Sequence, residues 1–310
     1  MFSSLLIVAG QVLTLFLLMG TGFVLRKKEK LTKPTLSQLS YLLIYIIAPC
    51  LIVDSLQIER TAELLRATGL TAVACLIFFA IGSLLVPLLF RKKEPDTRDV
   101  LRFGAMYPNL GFMGYPLVRA VLGEGAMIYA TVFLIVFQVY HWTHGVIIMG
   151  GGKDKVSLKS AFFNPGMFGF AMGLVLFLLN IRLPWPVANA VSYISSLNTP
   201  VAMLVIGAIM ADADILNLLK IPSLYLAGAV KLVLIPALTA VAIYPLGLEP
   251  IVYCAIVVLA ATPSAGITSI FAERFGRDSL SAAQLVTLVT LLSIITLPVF
   301  AALAQRIAGL

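Results

Sequence analysis

Apolar residues run in blocks of about twenty along the whole chain, separated by short polar stretches. That is the length needed to cross about 30 Å of hydrocarbon at 1.5 Å per residue. The pattern predicts ten membrane-spanning helices over about 4–25, 35–57, 66–90, 99–122, 126–149, 160–180, 189–211, 222–245, 250–274 and 280–305. The loops are short and leave no room for a separate soluble domain. The first span lacks a preceding basic stretch and an A-x-A-type cleavage site, so it reads as a first mature helix rather than a removable signal.

Two spans are interrupted where an unbroken helix is expected. Span 4 carries "YPNLG" at 107–111 and span 9 carries "TPSAG" at 262–266, each near the centre of its span. In hydrocarbon an unsatisfied backbone group costs several kcal/mol, so a break survives only where protein or a water-lined cavity supplies partners. Pro108 and Pro263 each remove an N–H, and Gly111 and Gly266 relax the backbone. Asn109 or Ser264 is then placed to cap the helix that restarts. Each break leaves a fresh helix N-terminus at mid-membrane. Spans 4 and 9 run in opposite directions, so two positive dipole ends face the midplane from opposite sides, which suits an anion. The carbonyl ends of the first halves suit a cation instead, and a proline kink without ligand is the plain alternative.

The two halves echo each other. Gly20 and Gly173, Pro49 and Pro200, Pro108 and Pro263, and Gly123 and Gly276 all stand 151–155 residues apart. We read two five-span units, 1–150 and 160–310. Five is odd, so the second unit enters the membrane from the opposite face and the repeat is inverted about an axis in the membrane plane. Such symmetry lets one shape exist in inward-open and outward-open versions, as transporters need and a purely structural bundle does not.

Charge adds an orientation. Odd-numbered loops hold 16 Lys and Arg residues, while even loops and the C-terminal tail hold 5, which predicts cytoplasmic odd loops and both termini outside the cell membrane. The net charge of +8 follows from this bias and requires no nucleic-acid partner. With 60% hydrophobic and 12% charged residues, the chain is an integral membrane protein whose surroundings are the lipid bilayer. Cys50, Cys75 and Cys254 fall inside apolar spans with no close-spaced pair, which supports neither a disulfide framework nor a zinc site.

A few polar residues lie inside the spans. Lys231 sits about ten residues into span 8, where a charge costs about 2.5–3.5 kcal/mol on insertion scales. It reads as a fixed cation near the substrate path, a proton-coupling group, or a structural lysine paired with carbonyls or an acid. Asp54, in the last turn of span 2, reads as a solvated residue or, with an outer cavity reaching it, as a proton or cation carrier. Asp212 and Asp214, where span 7 ends, read as solvated. His141 and His144 in "YHWTH" are i,i+3 neighbours on one helix face and suit proton relay or packing. One histidine pair without a matching set predicts neither a metal site nor a haem, and no cofactor is expected. Gln11, Gln138 and Gln284 read as helix-to-helix hydrogen-bonding residues. The breaks carry no acid or histidine, and no GxxxxGK[ST] motif occurs, so neither an embedded enzyme nor an ATP-driven pump is predicted.

The segments "YLLIYIIAPCLIVDSL", "YPNLGFMGYPLV", "NPGMFGFAMG", "NTPVAMLVIGA" and "ATPSAGITSIFAERFGRDSLSAAQLVTL" together resemble the auxin efflux carrier family, which includes plant auxin exporters and bacterial carriers of malonate-like dicarboxylates. The resemblance covers essentially the whole chain. It implies an all-α, ten-helix inverted-repeat fold similar to bile-acid symporters and sodium/proton antiporters. Spans 1, 2, 6 and 7 would form a scaffold, and spans 3–5 with 8–10 a moving domain holding the crossed, broken spans 4 and 9. It further implies that a substrate carboxylate binds at Pro108, Asn109, Pro263 and Ser264, beside Gly111, and that Tyr45, Asn198 and Thr199 of the scaffold face the substrate cavity. The expected activity is gradient-driven movement of a small organic anion, an auxin-like or malonate-like carboxylate, by alternating access. Coupling to protons or sodium, as in bile-acid-type symport or antiport, and a ligand sensor built like a transporter are the alternatives. The implied assembly is a monomer or a homodimer.

Overall fold

The structure, a computed structural model, describes residues 2–59, 61–150, 165–213 and 218–310. It is all-helical, with no strand among the described residues, and seven helices are long and apolar enough to cross a membrane by length and composition. In chain order, α1 is Phe2–Lys27, α2 Lys33–Ser55, α3 Ala62–Leu88, α4 Pro95–Met106, α5 Leu110–Leu122 and α6 Glu124–Met149. Then follow α7 Pro165–Leu178, α8 Trp185–Asp212, α9 Pro222–Leu246, α10 Pro250–Ala260, α11 Ile267–Arg274 and α12 Ser279–Ala308. The seven long helices are α1, α2, α3, α6, α8, α9 and α12. Predicted spans 4 and 9 each come as two pieces, α4 with α5 and α10 with α11, and span 6 is described from Pro165 onward as α7.

Proline sets both starts and irregularities. Pro95, Pro222 and Pro250 open their helices, where a missing N–H costs nothing. Further along, proline widens the turn before it into a π-turn. Leu43–Ile47 precedes Pro49, Leu110–Gly114 precedes Pro116, and Val230–Leu234 precedes Pro236. In each, the first residue's carbonyl accepts from the N–H five residues on, an accommodation of the hydrogen bond that the proline cannot make. A fourth π-turn, His141–Gly145, has no such proline. It contains both His141 and His144, whose rings both neighbour that of Tyr107. His141 is fully buried against Phe137 and Phe271, while His144 bonds Tyr107.

Small residues bring helices into backbone contact. A Cβ on Gly22 of α1 would lie 2.1 Å from the Leu204 carbonyl oxygen of α8, and one on Gly207 of α8 would lie 1.8 Å from that of Met19 on α1. On α7, a Cβ on Gly169 would meet Pro49 of α2 at 2.6 Å, and Gly173, one turn on, faces Val53 and Leu56. Two close seams result, α1 on α8 and α7 on α2, built by the small residues that membrane helices use to approach each other. Asp212, expected to be solvated, is instead ion-paired with Arg26 at 2.9 Å at one end of the first seam; Asp214 lies outside the described residues.

A polar cluster ties the starts of α4 and α12 to the end of α6. Arg277 pairs with Asp96 at 2.5 Å and donates to the Met149 carbonyl, and Thr97 donates to Asp278. Burial alone would raise the Asp278 carboxyl, but hydrogen bonds from the Ser281 hydroxyl and N–H and from Thr97 outweigh it and hold the group below its ordinary range. Beyond this clasp, α10 is buried along nearly its whole length and runs to the breaks.

Candidate functional site

The two breaks answer each other. Between α4 and α5 the chain passes Tyr107, Pro108 and Asn109 in extended or irregular geometry; between α10 and α11 it passes Thr262 to Gly266. The Asn109 N–H donates to the Pro263 carbonyl at 2.8 Å, and the Ala265 N–H donates to the Tyr107 carbonyl at 3.0 Å. Pro108 and Ser264 thus form a one-residue antiparallel bridge where the segments cross. Backbone groups that would be costly in hydrocarbon are satisfied within the protein.

The side chains do not cap the restarts as expected. Ser264 is fully buried and donates its hydroxyl to the Gly104 carbonyl at 2.7 Å, locking the crossing to α4. Asn109 immediately precedes α5, yet its side chain makes no capping bond. Its amide makes no hydrogen bond among the described residues. The N–H groups of Gly111, Phe112, Gly266 and Ile267, at the first turns of α5 and α11, likewise have no acceptor among the described residues.

Those four residues line one pocket of about 120 Å³. Pro108, Asn109, Asn198, His141, Gln138 and Trp142 line it too, with apolar walls from α2 and α6. A Cβ on Gly111 or Gly266 would meet nothing within 4 Å, so both glycines open onto space. Asn198 donates to the Gly111 carbonyl at 2.6 Å, which ties α8 to the crossing and leaves its own buried carbonyl oxygen unpaired. Both ring nitrogens of His141 are buried without a partner among the described residues. The wall therefore offers neutral polar groups, two helix N-termini and no charged side chain, a setting suited to a small anion.

Sequence reasoning missed Gln138 and Trp142 here. Gln138 read as a helix-to-helix residue, but its amide makes no hydrogen bond among the described residues and faces the pocket instead. No periodicity marks the difference, because both roles place a glutamine on a buried face. Tyr45 does not join the pocket: its ring is half exposed and stacks on Tyr41 at 4.4 Å. It lies within the π-turn of α2, whose Leu43 and Ile44, with Ala48 and Leu51 beyond it, line the pocket in its place. Thr199, Pro263 and Ser264 do not line the pocket either.

The remaining expected residues surround the crossing at a distance. Lys231 is fully buried in the π-turn of α9, lies over the Phe78 ring at 5.8 Å, and donates to the Ala260 carbonyl at 2.8 Å. It caps the C-terminal end of α10, where the helix dipole is negative. His144 meets the Tyr107 hydroxyl at 3.0 Å through Nδ1, and that hydroxyl also donates to the Tyr140 carbonyl. Asp54 belongs to a separate polar cavity of about 340 Å³, shared with Ser55, Ser192, Ser195, Ser196 and the Arg119–Glu124 ion pair.

Comparison with known proteins gives a family match over nearly the whole chain. The family model described as "Membrane transport protein" matches residues 7–301. A protein of Rhizobium meliloti (strain 1021) named "Putative malonate transporter" is 26% identical over 307 residues, covering 93% of each chain. An "Uncharacterized transporter" of Methanothermobacter thermautotrophicus is 23% identical over 296 residues, 93% of this chain and 96% of its own.

Proposed function

We infer, from a chain that belongs to the membrane transport protein family, the auxin efflux carrier family of the sequence reading, that this protein is a secondary transporter of a small organic anion. The observation that carries the reading is the crossing, where four residues whose N–H groups have no acceptor among the described residues, from the first turns of two helices, line one pocket with Asn109 and Gln138. Opposed N-termini stabilise negative charge without a fixed cation, so the anion can be released again once the site faces the other side. A malonate-like dicarboxylate is the first substrate to test, given the name of the Rhizobium relative.

The mechanism follows from a ten-span inverted repeat. The α1–α8 and α7–α2 seams support it, because they pair span 1 with span 7 and span 6 with span 2, as a repeat relating span 1 to 6 and span 2 to 7 requires. Gly123 and Gly276 end α5 and α11 with φ of +81° and +63°, a backbone conformation that favours glycine at both equivalent positions. α1, α2, α7 and α8 would form the scaffold, and the crossing would move against it with the rest of the bundle, carrying the pocket from one face to the other. Odd loops lie in the cytoplasm and the termini outside.

A sodium-coupled version is less favoured by one specific observation. The carbonyl end of α10, where a cation would sit, already receives the Lys231 ammonium. Proton coupling through Asp54 or the Tyr107–His144 pair remains the version to separate by experiment. Radiolabelled malonate, malate and indole-3-acetate are followed in proteoliposomes with membrane potential and pH gradient imposed separately. For a monoanion, 100 mV inside-negative favours export by about 2.3 kcal/mol. Potential-driven movement without a pH gradient fits an anion uniporter; a requirement for the gradient fits proton coupling; saturable binding with no flux of any of the three would replace the carrier with a sensor.

A further inference from the structure

The crossing pocket has no charged side chain in its wall, yet an anion approaching from water must shed its hydration before it meets the helix N-termini. An exposed arginine lies against one residue of that wall. Arg274 ends α11, whose first residue, Ile267, lines the pocket; seven residues are two turns, so the two lie on one face about 10 Å apart. The Arg274 guanidinium lies over the Trp142 ring at 5.6 Å, and Trp142 itself lines the pocket. Arg274 is exposed and has no carboxylate oxygen within 4 Å among the described residues. Stacking on an aromatic face fixes a guanidinium while leaving its N–H edges free for a bidentate carboxylate.

The equivalent arginine of the other half makes the contrast. Arg119 follows Pro108 by eleven residues, as Arg274 follows Pro263. Arg119 is ion-paired with Glu124 at 2.8 Å and shares its cavity with Asp54, so its charge is answered by acids. Of two positions related by the repeat, only the one stacked on the pocket wall is left unneutralised.

We propose that Arg274, held on Trp142, binds the carboxylate of an incoming anion at the mouth of the crossing pocket and hands it to the α5 and α11 N-termini. The proposal rests on the transport reading and names the residue that recruits its substrate. A lipid headgroup phosphate is the competing source of the same anionic chemistry. An arginine in the last turn of a helix also complements the helix dipole, a role that a purely structural residue would fill.

The test uses Trp142 as reporter. The chain has two tryptophans, and Trp185 is 76% exposed at the start of α8, so Trp185→Phe leaves Trp142 alone. In phosphatidylcholine nanodiscs, Arg274→Gln on that background is expected to lower iodide quenching of Trp142 about threefold by removing a local positive potential. Quenching by neutral acrylamide should not change. In proteoliposomes the same substitution is expected to raise the KM for malonate about tenfold, the equivalent of one charge-assisted hydrogen bond, with kcat retained and Arg274→Lys intermediate. Unchanged iodide quenching overturns the proposal, and so does reduced quenching with an unchanged KM. Wild-type iodide quenching that collapses when phosphatidylglycerol is added to the nanodiscs assigns Arg274 to a lipid headgroup and also overturns it. A wild-type protein that moves none of malonate, malate or indole-3-acetate defeats the transport reading instead, while the iodide comparison still decides whether Arg274 holds anions beside Trp142.

Discussion

Glycine does opposite work in two parts of this molecule. At the α1–α8 seam, Gly22 and Gly207 are pressed against carbonyl oxygens of the facing helix, and any side chain would collide with backbone. At the crossing, Gly111 and Gly266 face open space, and a side chain would collide with nothing. Neither crossing glycine needs a positive φ. Packing explains the first pair; the second borders the pocket at the two breaks. A residue kept small beside an empty volume and acceptor-free N–H groups marks a place for something else to sit.

Substitutions break or sharpen this contrast. The largest effect is expected from Gly207→Ala, which puts a methyl 1.8 Å from the Met19 carbonyl oxygen and must push α1 and α8 apart. Its stability should fall by about 3 kcal/mol, read as a drop in Tm in detergent. Lys231→Ala should come next. It leaves the Ala260 carbonyl buried without a donor, a loss of about 2 kcal/mol that the same melting curve would register.

Gly266→Ala should behave the other way round. Its Tm should match wild type, while the half-saturating anion concentration in counterflow rises about tenfold as a methyl enters the pocket beside the Ile267 N–H. Asn109→Ala and Gln138→Ala remove amides from the same wall, and each should weaken anion binding about three- to tenfold with folding intact. Loss in Asn109→Ala alone would narrow the site to the break itself.

The smallest effect concerns pH. Asp278 has a depressed carboxyl pKa in the folded protein, so its hydrogen bonds stabilise the α4–α12 clasp at every pH above the ordinary value of 3.8. That contribution is lost as pH falls through the lower folded value. Asp278→Asn should therefore reduce the acid dependence of Tm below pH 4 and leave transport at neutral pH untouched.

The helical, membrane-embedded character and the breaks were legible in the sequence, because length of apolar run and Pro-x-x-Gly in mid-span are local signals. What the broken segments do for each other was not. The bridge between Pro108 and Ser264 joins residues 156 apart in the chain, and no local pattern says that the Ser264 hydroxyl is taken by Gly104. Tyr45 and the histidine pair lie inside π-turns, whose wider turn shifts the register of a regular helix, and the turn at His141 has no proline to announce it. Asn109, Gly111 and Asn198, singled out through the breaks and the family resemblance, line the pocket; Gln138 needed the pocket to be seen.

The central claim is that the crossing holds the anion. Its most direct test is saturable counterflow of radiolabelled malonate, malate and indole-3-acetate in proteoliposomes, comparing wild type with Gly266→Ala at matched Tm. The expected result is counterflow of at least one of these anions by the wild type and a strongly reduced affinity in the variant. Equal counterflow by both proteins would contradict the claim and move the substrate away from the crossing.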